Sequence, residues 1–85
     1  MARYTEVFDE KGGREQRLEF NGKTYIHRTT PFEYGIAHGL DVDLDRQVEK
    51  DYPDNDKLLE LVYDLDEMGG GGTILPELTQ IERTL

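Results

Sequence analysis

The stretch Asp54-Asn55-Asp56-Lys57-Leu58-Leu59-Glu60-Leu61-Val62-Tyr63-Asp64-Leu65-Asp66-Glu67-Met68, followed by four glycines, decides how this chain of 85 residues is read. At about 100° per residue, Leu58, Leu61, Val62, Leu65 and Met68 fall on one stripe, with Leu59 at its margin. That is the pattern of a helix lying on a core. Asp54 or Asp56 is placed to cap its start, where a carboxylate also suits the positive end of the helix dipole. Gly69 offers a left-handed stop. On the opposite side Asp56, Glu60 and Asp64 recur every four residues, and Glu67 extends the row. Like charges at that spacing destabilise a helix by about 0.2–0.5 kcal/mol per pair. Lys57 is the sole base in the segment. The row has two readings: a solvated face that keeps the protein dissolved, or a negative surface kept for a basic partner.

Charge over the whole chain sharpens the second reading. Residues 1–40 hold six acids and six bases, whereas residues 41–68 hold eleven acids against Arg46, Lys50 and Lys57, a net of −8. The total of −9 argues against direct binding to nucleic acid or to an anionic membrane. With no cysteine there is no disulfide framework, thiolate metal site or thiol nucleophile, which fits a reducing cytoplasm. The amino terminus lacks the apolar run of a signal peptide, and no segment approaches the roughly 20 apolar residues of a membrane span.

Upstream of the acidic half, residues 3–8 read as a strand by their β-branched and aromatic content. Residues 15–20 and 23–29 flank Asn21-Gly22, a strong two-residue hairpin signal. That turn pairs Phe20 with Lys23, Leu18 with Tyr25, Gln16 with His27 and Glu15 with Arg28. Leu18, Phe20 and Tyr25 then share one face. Thr30-Pro31-Phe32-Glu33 matches a capping box and predicts a short helix over 31–38, with Phe32, Ile36 and Leu40 in line. Asp43 is placed to cap a second short helix over 44–52, carrying Leu44, Val48 and Tyr52 inward and closed by Pro53. Gly69 to Gly72 reads as a hinge, and Pro76 to Thr84 as a last helix with Leu75, Leu78, Ile81 and Leu85 on one side. The expectation is one α+β domain over 1–85. Its β region, 1–30, is a small antiparallel sheet of the N-terminal strand and the hairpin. It packs against two short helices, the longer acidic helix and a C-terminal helix.

Motifs for chemistry are weak. Asp41, Asp43 and Asp45 resemble the opening of a calcium loop, but the sixth position is Arg46 rather than glycine and the twelfth is Tyr52 rather than glutamate. His27 and His38 lack a metal-ligand spacing, and read as a sheet-face residue and a cation at a helix end. No phosphate loop and no nucleophile–base pair is present. The reading is a non-catalytic protein with neither cofactor nor metal. It engages a basic protein surface through Asp56, Glu60, Asp64 and Glu67, with Asp45 and Glu49 from the preceding helix. An inhibitor or nucleic-acid mimic is one version, by analogy with small phage anti-defence and antitoxin or immunity proteins, which use acidic surfaces. One alternative is an assembly module that forms a homo-oligomer, a homodimer being one form, with acidity serving solubility alone; another is a small metal-binding or metal-dependent protein.

Overall fold

The structure, a computed structural model, describes residues 1–10, 12–31, 37–39, 42–69 and 72–85, with the backbone alone for 30, 31 and 37–39. Strands β1 (Arg3–Phe8), β2 (Arg14–Phe20), β3 (Lys23–Pro31) and β4 (Ala37–Gly39) form an antiparallel sheet in the order β1-β2-β3-β4. Helices α1 (Leu44–Asp51), α2 (Asp56–Met68) and α3 (Ile74–Thr84) follow. The arrangement is α+β.

Asn21 and Gly22 both take positive φ, 50° and 81°, as a two-residue turn matched to the twist of a hairpin requires. β2 and β3 pair in the register Phe20–Lys23, Leu18–Tyr25, Gln16–His27 and Glu15–Arg28. Because side chains alternate, Gln16, Leu18, Phe20, Tyr25 and His27 all point to the helical side and are buried. Leu18, Phe20 and Tyr25 meet Leu44 and Val48 of α1, Leu58, Leu61, Val62 and Leu65 of α2, and Leu78 of α3 in one core. Phe20 packs edge-on against Tyr52, ring centroids 5.7 Å apart. The tip of the hairpin is tied down as well. Asp51 accepts from Lys23 Nζ at 2.7 Å and from Tyr25 Oη at 2.6 Å, and Glu82 accepts from the Asn21 amide at 2.6 Å.

The sequence expectation of a helix over 31–38 fails at the residues of that span that are described, Pro31, Ala37 and His38. Pro31 ends β3 rather than beginning a helix, and Ala37, His38 and Gly39 form β4. Phe32 to Ile36 and Leu40 lie outside the described residues. Among the described residues one short helix stands where two were expected, and His38 sits in a strand rather than at a helix end. Thr29 and Thr30 favour extended backbone, the glycines weaken a helix, and pairing with an existing strand outweighs a local capping pattern.

The caps also differ. Asn55, not Asp54 or Asp56, caps α2 by accepting from the Leu58 amide. Asp43 stands at the N-cap of α1 without a side-chain cap bond; the Leu44 amide donates instead to Asp66 at the far end of α2. This contact sets the start of α1 beside the end of α2, so the two helices run antiparallel. Gly69 ends α2 at φ 82°, donating to Leu65 O at 2.8 Å. The last helix begins at Ile74, earlier than Pro76, which lies in the first turn where its missing N–H has no helical partner to lose. Gly70 and Gly71 of the expected hinge lie outside the described residues.

Candidate functional site

The burial of Leu58, Leu61, Val62 and Leu65 fixes which way α2 faces, and so fixes the acidic row. Asp56, Glu60 and Glu67 are exposed, and Asp64 is half-buried. None of the four is in an ion pair among the described residues. Lys57 turns to Glu77 on α3 at 3.8 Å. Two arginines of the hairpin half are engaged within the sheet: Arg14 pairs with Glu6 and Arg17 with Glu15. The outer sheet face carries both signs side by side, with Arg3 opposite Glu19 and Glu15 opposite Arg28. The outer face of α2 carries one sign.

The two acids expected from α1 divide. Glu49 is exposed and in no ion pair among the described residues. Asp45 is half-buried, with Oδ1 enclosed and without a hydrogen-bond partner. Burial, then the charge of Asp43, pushes its carboxyl above the usual range. Asp45 belongs with Asp43 and Asp66 rather than with the row on α2.

That second group forms a polar cluster where the inner sheet face changes from apolar to polar. Gln16 Nε2 donates to the Asp66 carbonyl at 2.9 Å and to Tyr4 Oη at 2.9 Å. Arg14 Nη2 also donates to that carbonyl at 3.3 Å. A carbonyl in the last turn of a helix has no partner within the helix, so the sheet satisfies it, and a guanidinium there suits the negative end of the dipole. The hydrogen bonds Arg14 makes to Tyr4 and Glu6 raise its basicity, outweighing the burial that opposes it. Burial pushes the Tyr4 phenol up.

The Asp66 side chain receives the Leu44 amide on Oδ2 at 3.3 Å and faces His27 Nδ1 with Oδ1 at 3.2 Å. Gln16 Oε1 lies 3.2 Å from the same nitrogen. On the other side of the ring, Nε2 faces Asp43 Oδ1 at 3.5 Å. Asp66 thus joins the sheet, α1 and α2 through one residue.

Neither Asp66 nor Gln16 stands among the sequence-derived candidates, though both leave a trace in the pattern. Asp66 follows Val62 by four residues, about 40° further round, on the inward side of the wheel and away from the row. Gln16 precedes Leu18 and Phe20 at strand spacing, which sends it inward. No protein-family model, curated protein or solved structure matches the chain. Among the described residues, no helix is long and apolar enough to cross a membrane.

Proposed function

We propose that this chain is a non-catalytic binding protein of the cytoplasm that presents the outer face of α2 to a basic surface of a protein partner. Asp56, Glu60, Asp64 and Glu67 carry the contact and Glu49 of α1 extends it. The observation behind the reading is that this row carries one sign and stays free of ion pairs among the described residues. A row of three like-charge neighbours costs the helix about 0.6–1.5 kcal/mol. Interleaved lysines would remove that cost and keep the face soluble. A continuous negative face accelerates encounter with a positive one and suppresses the wrong partner.

An inhibitor that covers the basic site of its target fits this surface. Strict imitation of nucleic acid fits less well. Carboxylates four residues apart rise about 6 Å along a helix, against a phosphate about every 3.4 Å per DNA strand. A second row is needed, and Asp45 is turned away from it.

The test is affinity capture from the native host at low and high salt, with Glu60→Lys/Asp64→Lys as the comparison bait. The double variant keeps the fold and loses the partner; equal capture by both baits excludes the reading. The assembly alternative has its own observation, since β1 is an edge strand with Val7 and Phe8 exposed. A mass that doubles with concentration, with no salt-sensitive partner, supports it instead.

A further inference from the structure

The hydrogen-bond pattern around His27 fixes its tautomer. The Asp66 carbonyl can only accept, so the Gln16 amide must turn its nitrogen toward it and its oxygen toward the ring. His27 Nδ1 therefore faces two acceptors, Gln16 Oε1 and Asp66 Oδ1, each at 3.2 Å, and carries the hydrogen. In the neutral ring Nε2 is left with its lone pair. What Nε2 meets is Asp43 Oδ1, at 3.5 Å. Two acceptors face to face repel each other unless a cation lies between them.

The spacing favours a metal ion over a proton. A N–H···O hydrogen bond spans about 2.7–3.2 Å. Bonds of about 2.0–2.1 Å to a tetrahedral zinc ion set neighbouring donor atoms about 3.4 Å apart. The carboxylate on Nδ1 supplies the orienting partner that metal-bound imidazoles take. Donor atoms of His27, Asp43 and Asp66 all lie within 4.8 Å of one another. Beside them, Asp45 Oδ1 is enclosed without a hydrogen-bond partner. Two carboxylates thus face one imidazole, one at each ring nitrogen. Among the described residues, no lysine or arginine is ion-paired to any of them.

We propose that His27 Nε2 and Asp43 bind a divalent first-row transition ion such as zinc, with Asp45 as the neighbouring carboxylate and Asp66 holding the ring from Nδ1. One imidazole nitrogen with carboxylate oxygens suits zinc, whereas magnesium and calcium take oxygen alone. The Asp43 side chain is 57% exposed, so the ion has an open approach and coordination positions left for water.

The test uses the chain stripped with a chelator and titrated with zinc chloride by calorimetry and thermal melting, with magnesium and calcium as comparators. One zinc binds per chain, the melting temperature rises with zinc and falls back on adding chelator, and the comparators do neither. Nitrogen-15 spectra of the ring show hydrogen on Nδ1 and the ion on Nε2. Asp43→Asn does not lower the metal-free melting temperature, since Asp43 makes no side-chain cap bond, asparagine caps equally well, and its amide can donate to the Nε2 lone pair. It weakens zinc binding at least tenfold. Three results would overturn the site: no zinc binding, undiminished affinity in Asp43→Asn, or hydrogen on both ring nitrogens with zinc present, which would make the cation a proton.

Discussion

Replacing Asp64 with lysine should make the protein more stable. Along α2, Asp56–Glu60, Glu60–Asp64 and Asp64–Glu67 are neighbours of like sign, with no base interposed on that face. Asp64→Lys turns the last two from repulsive to attractive. Each reversal is worth about twice a single pair, so the two together supply about 0.8–2 kcal/mol. The new cation also stands nearer the negative end of the helix dipole. At about 4–8 °C per kcal/mol for a domain of this size, the melting temperature rises by about 3–16 °C. Circular dichroism melts at about 0.01 M and about 1 M salt separate the cause, because the Debye length falls from about 30 Å to about 3 Å. The gain belongs to low salt and largely disappears at high salt. An unchanged or lowered melting temperature at low salt, or a gain that survives high salt, would show that the row is not electrostatically unbalanced. Stability gained together with partner lost is the mark of residues kept for function against stability.

Two further outcomes follow from the fold. Leu65 is fully buried, so Leu65→Ala costs about 2–5 kcal/mol, while Met68→Ala on the same helix, 72% exposed, stays within about 0.5 kcal/mol; similar denaturation midpoints for the two would mean the buried face is misassigned. Asp51 contributes to both limbs of the pH–stability curve. The Lys23 and Tyr25 hydrogen bonds lower its carboxyl pKa, so its contribution is present above the unfolded value, about 4, and is lost as pH falls through the folded value. Burial, then the Asp51 hydrogen bond, raises the Tyr25 pKa, so stability also declines as pH climbs past the unfolded phenol value of about 10. Asp51→Asn flattens the acid limb and weakens the alkaline one; melts across the pH range that keep both slopes would refute this assignment.

What the sequence discloses depends on how local the governing physics is. The faces of α2 follow from the spacing of Leu58, Leu61, Val62 and Leu65, and the pairing around Asn21-Gly22 follows from parity across a two-residue turn. Met68 breaks the stripe: it is the last residue of α2 and stands exposed. The region after Thr30 misleads because a capping box is a local signal, whereas β4 exists through its pairing to Thr29, Thr30 and Pro31. Capping by Asp66 could not be read either, since its target, the Leu44 amide, is 22 residues away. The acidic row was legible from spacing alone. The cluster at His27 was not, because its members come from β2, β3, the N-cap of α1 and the end of α2.

The most direct measurement is the salt-dependent affinity of the captured partner for three forms of the protein: the native chain, Glu60→Lys/Asp64→Lys, and Glu10→Lys/Glu19→Lys. Each acid-to-lysine change adds two charges, so both variants move the net charge from −9 to −5. Glu10 and Glu19 are exposed, Glu10 in the turn after β1 and Glu19 on the outer face of the sheet opposite Arg3. If the face of α2 makes the encounter, the native chain and Glu10→Lys/Glu19→Lys bind alike, with affinity falling steeply as salt rises, while Glu60→Lys/Asp64→Lys does not bind. Equal loss in both variants would mean that net charge alone governs binding, and equal retention would mean that the partner contacts another surface.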